Sequence, residues 1–80
     1  MTQLVPILLP ELGSGNAEVR VSLWFVASGE HVDAGDQLLE VQLPGITFDV
    51  CSPATGTVTK IEKPLSAVVA AGDVLGWLST

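Results

Sequence analysis

Apolar and polar residues alternate over short stretches of this chain, and no stretch has a convincing helical period. Residues 19–23 (VRVSL) place apolar side chains at every second position, which is the pattern of a half-buried β-strand. Residues 67–71 have some helical propensity, but the segment is short and ends at Gly72. The pattern therefore predicts an all-β chain.

The apolar stretch from Leu4 to Pro10 is predicted to form the first strand. It has no basic flank and two prolines interrupt it, so it does not have the pattern of a signal peptide. No apolar run approaches the roughly 20 residues that a membrane-spanning helix needs. We therefore expect no membrane insertion.

An internal repeat organises the chain. A shift of 37 positions places residues 18–41 on residues 55–78 without a gap, and the block Ala-Gly-Asp-x-Leu at 34–38 recurs at 71–75. Each half is predicted to form a strand, a turn, a short strand, a second turn and a final strand. Since each half has only one apolar face, the halves are predicted to pack together as an all-β sandwich or flattened β-barrel with approximate two-fold symmetry.

The same shift places residues 41–46 on residues 4–9. The centre of the chain then corresponds to its start. We therefore expect the two termini to lie together at one end of the barrel and a central hairpin to lie at the other.

Length and charge limit the classes of partner. The 80 residues suffice for one small domain, residues 1–80. Three basic and nine acidic residues give a net charge of −6, which argues against nucleic acid, because neutralising phosphates needs Lys and Arg. The charge is compatible with docking to a basic protein surface. The single cysteine favours a reducing compartment, so we expect the cytoplasm or an organelle matrix. We also expect the isolated domain to be monomeric.

The central hairpin is predicted from two strand-like runs, Glu40–Leu43 and Ile46–Val50, separated by Pro44-Gly45. Proline at the second position of a turn presets φ, and glycine at the third accepts a positive φ, so the pair is typical of a type II turn. We call the residues Leu43, Pro44, Gly45 and Ile46 the hairpin turn.

Several motifs now give the chain a resemblance to the biotinyl/lipoyl-attachment domains. It is most similar to the lipoyl domain at the N-terminus of the acyltransferase component of 2-oxo acid dehydrogenase complexes, over residues 4–79. The resemblance implies a flattened β-barrel of two four-stranded sheets with the attachment turn exposed at its tip. The motifs are Leu9–Gly15 (LPELGSG), Gly29–Asp36 (GEHVDAGD), Thr47–Val50 (TFDV) with Ser52–Gly56 (SPATG), and Ala71–Leu75 (AGDVL).

The sequence departs from this family at the residue that carries the family's chemistry. Lipoate and biotin are attached as amides to a lysine amine. Where the lipoyl pattern has Asp-Lys-Ala, this chain has Pro44-Gly45-Ile46, and the biotinyl pattern Met-Lys-Met is absent as well. We therefore expect neither lipoate nor biotin at the hairpin turn.

No other residue forms a convincing catalytic or metal site. Lys60 and Lys63 are the only lysines and are interpreted as ordinary surface charge, and Cys51 has no basic neighbour in sequence to activate its thiol. His31 with scattered carboxylates does not make a metal site. No nucleophile–base pair stands out, so we expect no catalytic residue and no enzyme activity.

The leading hypothesis is a non-catalytic relative of the lipoyl carrier domain that acts by protein–protein contact, with dehydrogenase-complex subunits as expected partners. The predicted contact residues are Pro44 and Gly45 together with Gly13, Ser14 and Gly15, which resemble the family's surface loop beside the attachment turn.

Two alternatives stay open. Lysine-free lipoyl-like modules serve as structural adaptors in membrane-fusion proteins of export pumps, but there a long helical insertion usually splits the hairpin tip, and here the tip is continuous. The third hypothesis is that the apolar hairpin turn holds an acyl or peptide group.

Overall fold

The structure confirms the predicted strands, in which buried apolar side chains alternate with exposed ones. In the second strand, Val19 and Val21 are buried while Arg20 is exposed. The computed structural model describes residues 2–80, in which every regular element is a strand. The strands are β1 (Leu4–Leu8), β2 (Val19–Trp24), β3 (His31–Val32), β4 (Gln37–Leu43), β5 (Ile46–Cys51), β6 (Gly56–Ile61), β7 (Val68–Val69) and β8 (Val74–Ser79).

The strands form two four-stranded antiparallel sheets, in the orders β1-β8-β6-β3 and β5-β4-β2-β7. The sheets pack face to face in a body that measures 40 × 19 × 19 Å, so the predicted flattened barrel is confirmed. Both sheets supply the core, whose largest fully buried side chains are Ile7, Leu38, Leu39, Leu75, Leu78, Val21, Val41 and Val58.

The recurring Ala-Gly-Asp block forms two equivalent turns, as the repeat predicts. In the first turn, the N–H of Asp33 donates to Asp36 Oδ2 at 2.9 Å, and in the second, the N–H of Ala70 donates to Asp73 Oδ2, also at 2.9 Å. The glycine before each aspartate has a positive φ, 91° and 87°. Glycine accepts this conformation without strain, which explains why the pair Gly-Asp is kept in both halves.

Each half completes the other half's sheet. Strand β7 of the second half pairs with β2, and β3 of the first half pairs with β6. The backbone hydrogen bonds around these pairs match, since Gly29 N–H donates to the Val58 carbonyl at 2.7 Å and Ser66 N–H donates to the Val21 carbonyl at 2.8 Å. The two halves are therefore interlocked, and neither has a complete sheet alone.

The predicted equivalence of residues 41–46 with residues 4–9 is wrong in register. Leu9 and Ser52 occupy equivalent positions, because each donates its N–H to the aspartate carbonyl of a Gly-Asp turn, at 3.0 Å and 2.7 Å. Strand β1 therefore corresponds to β5 with a shift of 43 positions. The connection from β1 to β2 is six residues longer than that from β5 to β6, and a gap-free alignment cannot cross that insertion.

The chain ends meet, as predicted. The N–H of Thr80 donates to the carbonyl of Gln3 at 2.9 Å. Under the corrected register, this pair corresponds to Leu43 and Ile46, which flank the turn of the central hairpin. The termini of one sheet thus take the place of the hairpin turn of the other.

We predict that Leu38→Ala and Leu75→Ala lower the free energy of unfolding by similar amounts, about 2–5 kcal/mol each. Both leucines are fully buried at equivalent positions of one shared core, so truncation leaves a similar cavity. Urea or thermal denaturation measures the change. Leu65→Ala is the control, because Leu65 is 62% exposed and should cost little; a core variant no less stable than this control would contradict the shared core.

A second prediction concerns Ser66, which has φ 72° where the equivalent residue of the first half is Gly29. A side chain in this left-handed region costs roughly 1–2 kcal/mol of folding free energy. Glycine removes this cost, but it loses about 0.5–1 kcal/mol more backbone entropy on folding. Ser66→Gly should therefore raise the free energy of unfolding by about 0.5–1 kcal/mol. The matched reverse change, Gly29→Ser, should lower it; equal signs for the two variants would show that the backbone strain is not the cause.

Candidate functional site

The hairpin turn has the predicted geometry. Leu43 and Ile46 are paired directly across β4 and β5, and Pro44 and Gly45 connect them. The φ of Gly45 is 79°, which is the value that the third position of a type II turn requires. Proline before it supplies the fixed φ of the second position, so the local sequence accounts for the shape of the tip.

The tip is open to solvent and nothing packs on its glycine. Leu43 is buried at the end of β4, whereas Ile46 is 61% exposed and Pro44 and Gly45 are exposed. A Cβ at Gly45 would meet no heavy atom within 4 Å. Only the positive φ, and not a lack of space, opposes a side chain at this position.

A shallow groove borders the hairpin turn on the side of β2, and sequence reasoning missed it. Glu18, Arg20, Gln42, Leu43 and Pro44 line it. Arg20 Nε lies 2.8 Å from Glu18 Oε2, so a charged pair borders the proline of the tip. No sequence signal could have found it, because the groove depends on the register in which Arg20 lies opposite Gln42.

The Gly13–Gly15 loop borders another cleft. Ser14 and Gly15 line this cleft of about 120 Å³ together with Leu9 and residues 69–71. Gly13 donates its N–H to Glu11 Oε1 at 2.8 Å, and the Ser14 carbonyl accepts from Ala17 at 3.0 Å. Within residues 2–80, no hydrogen bond joins this loop to the hairpin turn. The two clefts adjoin along the chain, since Val19 lines the one at the loop and Glu18 and Arg20 line the groove at the hairpin turn.

Both lysines lie outside the hairpin. Lys60 is on β6, in the sheet that does not contain the hairpin, and its Nζ lies 3.0 Å from Glu62 Oε1. Lys63 follows β6, and its carbonyl accepts the indole N–H of Trp24 at 2.8 Å. The hairpin turn itself carries no amine, hydroxyl, thiol or carboxylate side chain.

The remaining candidate residues are exposed and dispersed. Cys51 is a free, exposed thiol at the end of β5. His31 is exposed, with Nε2 3.6 Å from Asp33 Oδ1, and lies in the short strand β3. The described part of the chain contains no group of three or more His, Cys, Asp or Glu residues placed to hold a metal ion. Residues 2–80 also contain no helix of the length and apolar character needed to cross a membrane.

Comparison with known proteins decides the family. The family model described as "Biotin-requiring enzyme", of biotin and lipoyl domains, matches residues 5–78. The chain belongs to this biotin/lipoyl domain family. The resemblance inferred from the motifs is therefore confirmed, and the two four-stranded sheets agree with it.

Its relatives include acyltransferase components of two dehydrogenase complexes. It is 35% and 36% identical over 72 residues to the dihydrolipoyllysine-residue succinyltransferase components of the 2-oxoglutarate dehydrogenase complex of Rickettsia conorii and Rickettsia bellii. It is 34% identical over 67 residues to the dihydrolipoyllysine-residue acetyltransferase component of the pyruvate dehydrogenase complex of Staphylococcus aureus. The matches cover 90%, 90% and 84% of this chain but only 18%, 18% and 16% of the relatives.

Proposed function

We propose that this biotin/lipoyl domain is a non-catalytic relative of the carrier domains of 2-oxo acid dehydrogenase acyltransferase components, and that it is not charged with lipoate or biotin at its hairpin turn. It acts instead by protein–protein contact. We also propose that the domain is monomeric and works in the cytoplasm or an organelle matrix. Its proposed partners are subunits of a 2-oxo acid dehydrogenase complex.

The observation that carries the proposal is the pair Pro44-Gly45 at the tip of an otherwise regular lipoyl-type hairpin. Amide attachment of lipoate or biotin needs a lysine amine at the turn. Glycine at position 45 has none, and Lys60 is on a strand of the opposite sheet. An enzyme that recognises an exposed hairpin turn would find no side chain at position 45 to modify.

The exposed tip supports a contact role. Pro44 and Gly45 stand clear of the core, and the stiff turn loses little conformational entropy when it is bound. The groove beside it offers the Arg20–Glu18 pair as a polar rim. The Gly13–Gly15 loop supplies the second proposed contact surface.

The adaptor hypothesis has less support. The hairpin passes from β4 to β5 through only the two residues Pro44 and Gly45, so it lacks the long insertion that splits the modules of membrane-fusion proteins. The similarity to acyltransferase components favours the carrier-related proposal.

We predict that the chain keeps its unmodified mass when it is expressed with a lipoate ligase or a biotin ligase. The reason is the absent amine in the hairpin turn. Intact-protein mass spectrometry makes the measurement, with an ordinary lipoyl domain and an ordinary biotinyl domain charged in parallel as controls. A mass gain equal to either cofactor and mapped to Lys60 or Lys63 would refute the proposal.

A further prediction is that the site can be restored. Pro44→Asp with Gly45→Lys should fold and be lipoylated at least partly, because the turn is exposed and a side chain at position 45 meets no neighbour. Gly45→Lys alone should cost about 1 kcal/mol in unfolding free energy through its positive φ. The double change removes the proline and its fixed φ, so the turn can move to type I geometry.

Mass spectrometry shows whether the double variant is lipoylated, and denaturation shows whether it is folded. Pro44→Asp with Gly45→Gln is the matched control, with a long polar side chain but no amine, and it should stay unmodified. If the variant with Pro44→Asp and Gly45→Lys is folded yet refuses lipoate while an ordinary lipoyl domain is charged in parallel, recognition of this domain has changed beyond the turn, and the missing lysine alone does not account for the absence of lipoate.

A further inference from the structure

The four sheet edges of this fold differ in how well they are protected. An exposed edge strand presents unpaired N–H and C=O groups to which another chain can add, and proteins limit this with short edges, proline or lysine. Strands β3 and β7 have only two residues each, and β1 contains Pro6. Strand β5 has six residues (ITFDVC) without proline or lysine, and within residues 2–80 only β4 lies alongside it.

The internal symmetry makes the comparison between β1 and β5 direct. Pro6 lies opposite Trp77, and Asp49 lies opposite Glu40 at the equivalent place in the other sheet. Proline has no N–H and is found on edge strands with that position turned away from the ladder. At the one position where β1 is blocked by proline, β5 therefore keeps its backbone donor.

Hairpin geometry shows which backbone groups of β5 are free. Leu43 and Ile46 close a two-residue hairpin and form a hydrogen-bonded pair, and such pairs alternate with non-hydrogen-bonded ones along an antiparallel ladder. Thr47 and Asp49 thus belong to non-hydrogen-bonded pairs, and their N–H and C=O groups point away from β4. Together they offer two donors and two acceptors to an added strand.

The side chains indicate the chemistry of that strand. Asp49 and Glu40 are like charges directly across from each other, an arrangement that destabilises a sheet. Their carboxylates accept hydrogen bonds from Gln37 and Ser22, both at 2.7 Å, but neither pairs with a cation within residues 2–80. On the other face of β5, Ile46 is 61% exposed and Phe48 is 41% exposed.

We propose that the free edge of β5 binds an extended peptide segment of a partner protein, in which basic and apolar residues alternate. Its backbone pairs with Thr47 and Asp49, a Lys or Arg lies beside Asp49, and apolar side chains on the opposite face cover Phe48 and Ile46. A second copy of this chain fits less well, because each copy carries a net charge of −6 and would bring its own Asp49 to the same edge. The proposal goes beyond the proposed function, since it does not depend on the chemistry of the hairpin turn.

Titration of the isotopically labelled 80-residue chain with a short synthetic peptide of alternating lysine and valine tests the proposal. We expect shifts of the amide NMR signals of residues 46–51 at millimolar peptide. A peptide of alternating glutamate and valine, which has the same backbone hydrogen-bonding groups but the opposite charge, should leave these signals unmoved.

Two variants separate the backbone contribution from the charge. Asp49→Pro copies the blocked edge of β1 and should weaken binding about tenfold or more, since it removes an N–H and the carboxylate together. Asp49→Asn keeps the N–H, so its binding should be intermediate and lose most of its dependence on salt. Pro6→Asp on the opposite edge is the matched control, and the shifts in β5 should be unchanged in it.

Several results would overturn the proposal. These are no shift with the basic peptide, equal shifts with the acidic peptide, or shifts confined to other strands. Signals of residues 46–51 that depend on protein concentration without peptide would show that a second copy occupies the edge instead. A cofactor found by mass spectrometry would refute the proposed function but leave this result unaffected.

Discussion

Neither half of this chain can bury its apolar face alone, and the rest of the structure follows from that constraint. Each half has one apolar side and lacks one edge strand, which the other half supplies as β3 or β7. Burial of apolar surface is the main favourable term in folding, and here it is available only when both halves are formed and interlocked. The Gly-Asp turns, the matched leucines and the paired termini follow because both halves have the same arrangement of strands and turns.

The repeated features of the fold could be predicted from the sequence, whereas the irregular ones could not. Alternation along residues 19–23 and the recurring block at 34–38 and 71–75 sufficed to predict the strands, the turns and the shared core, because side-chain periodicity and turn chemistry are local properties. The alignment of β1 failed because an insertion of six residues precedes β2.

The hairpin and its surroundings show the same contrast between features that local sequence determines and features that depend on strand register. The shape of the Pro44-Gly45 turn follows from two residue types, and it could be predicted. The groove formed by Arg20 beside Pro44 depends on strand register and a bulge in the β2–β4 pair, which no local pattern encodes. The strained Ser66 has a trace in the sequence, since the repeat places it on Gly29, but a serine gives no turn signal as strong as glycine does.

The equivalence of the chain ends with the hairpin turn has a consequence for connectivity. Gln3 and Thr80 meet in one sheet as Ile46 and Leu43 do in the other, so the order of the halves along the polypeptide is not imposed by their packing. A circular permutant that begins at Gly45, ends at Pro44 and joins the old termini by a short link would retain every strand pairing of the native barrel. The barrel thus has two equivalent places at which its strands can be connected, the Pro44-Gly45 turn in one sheet and the Gln3–Thr80 pair in the other.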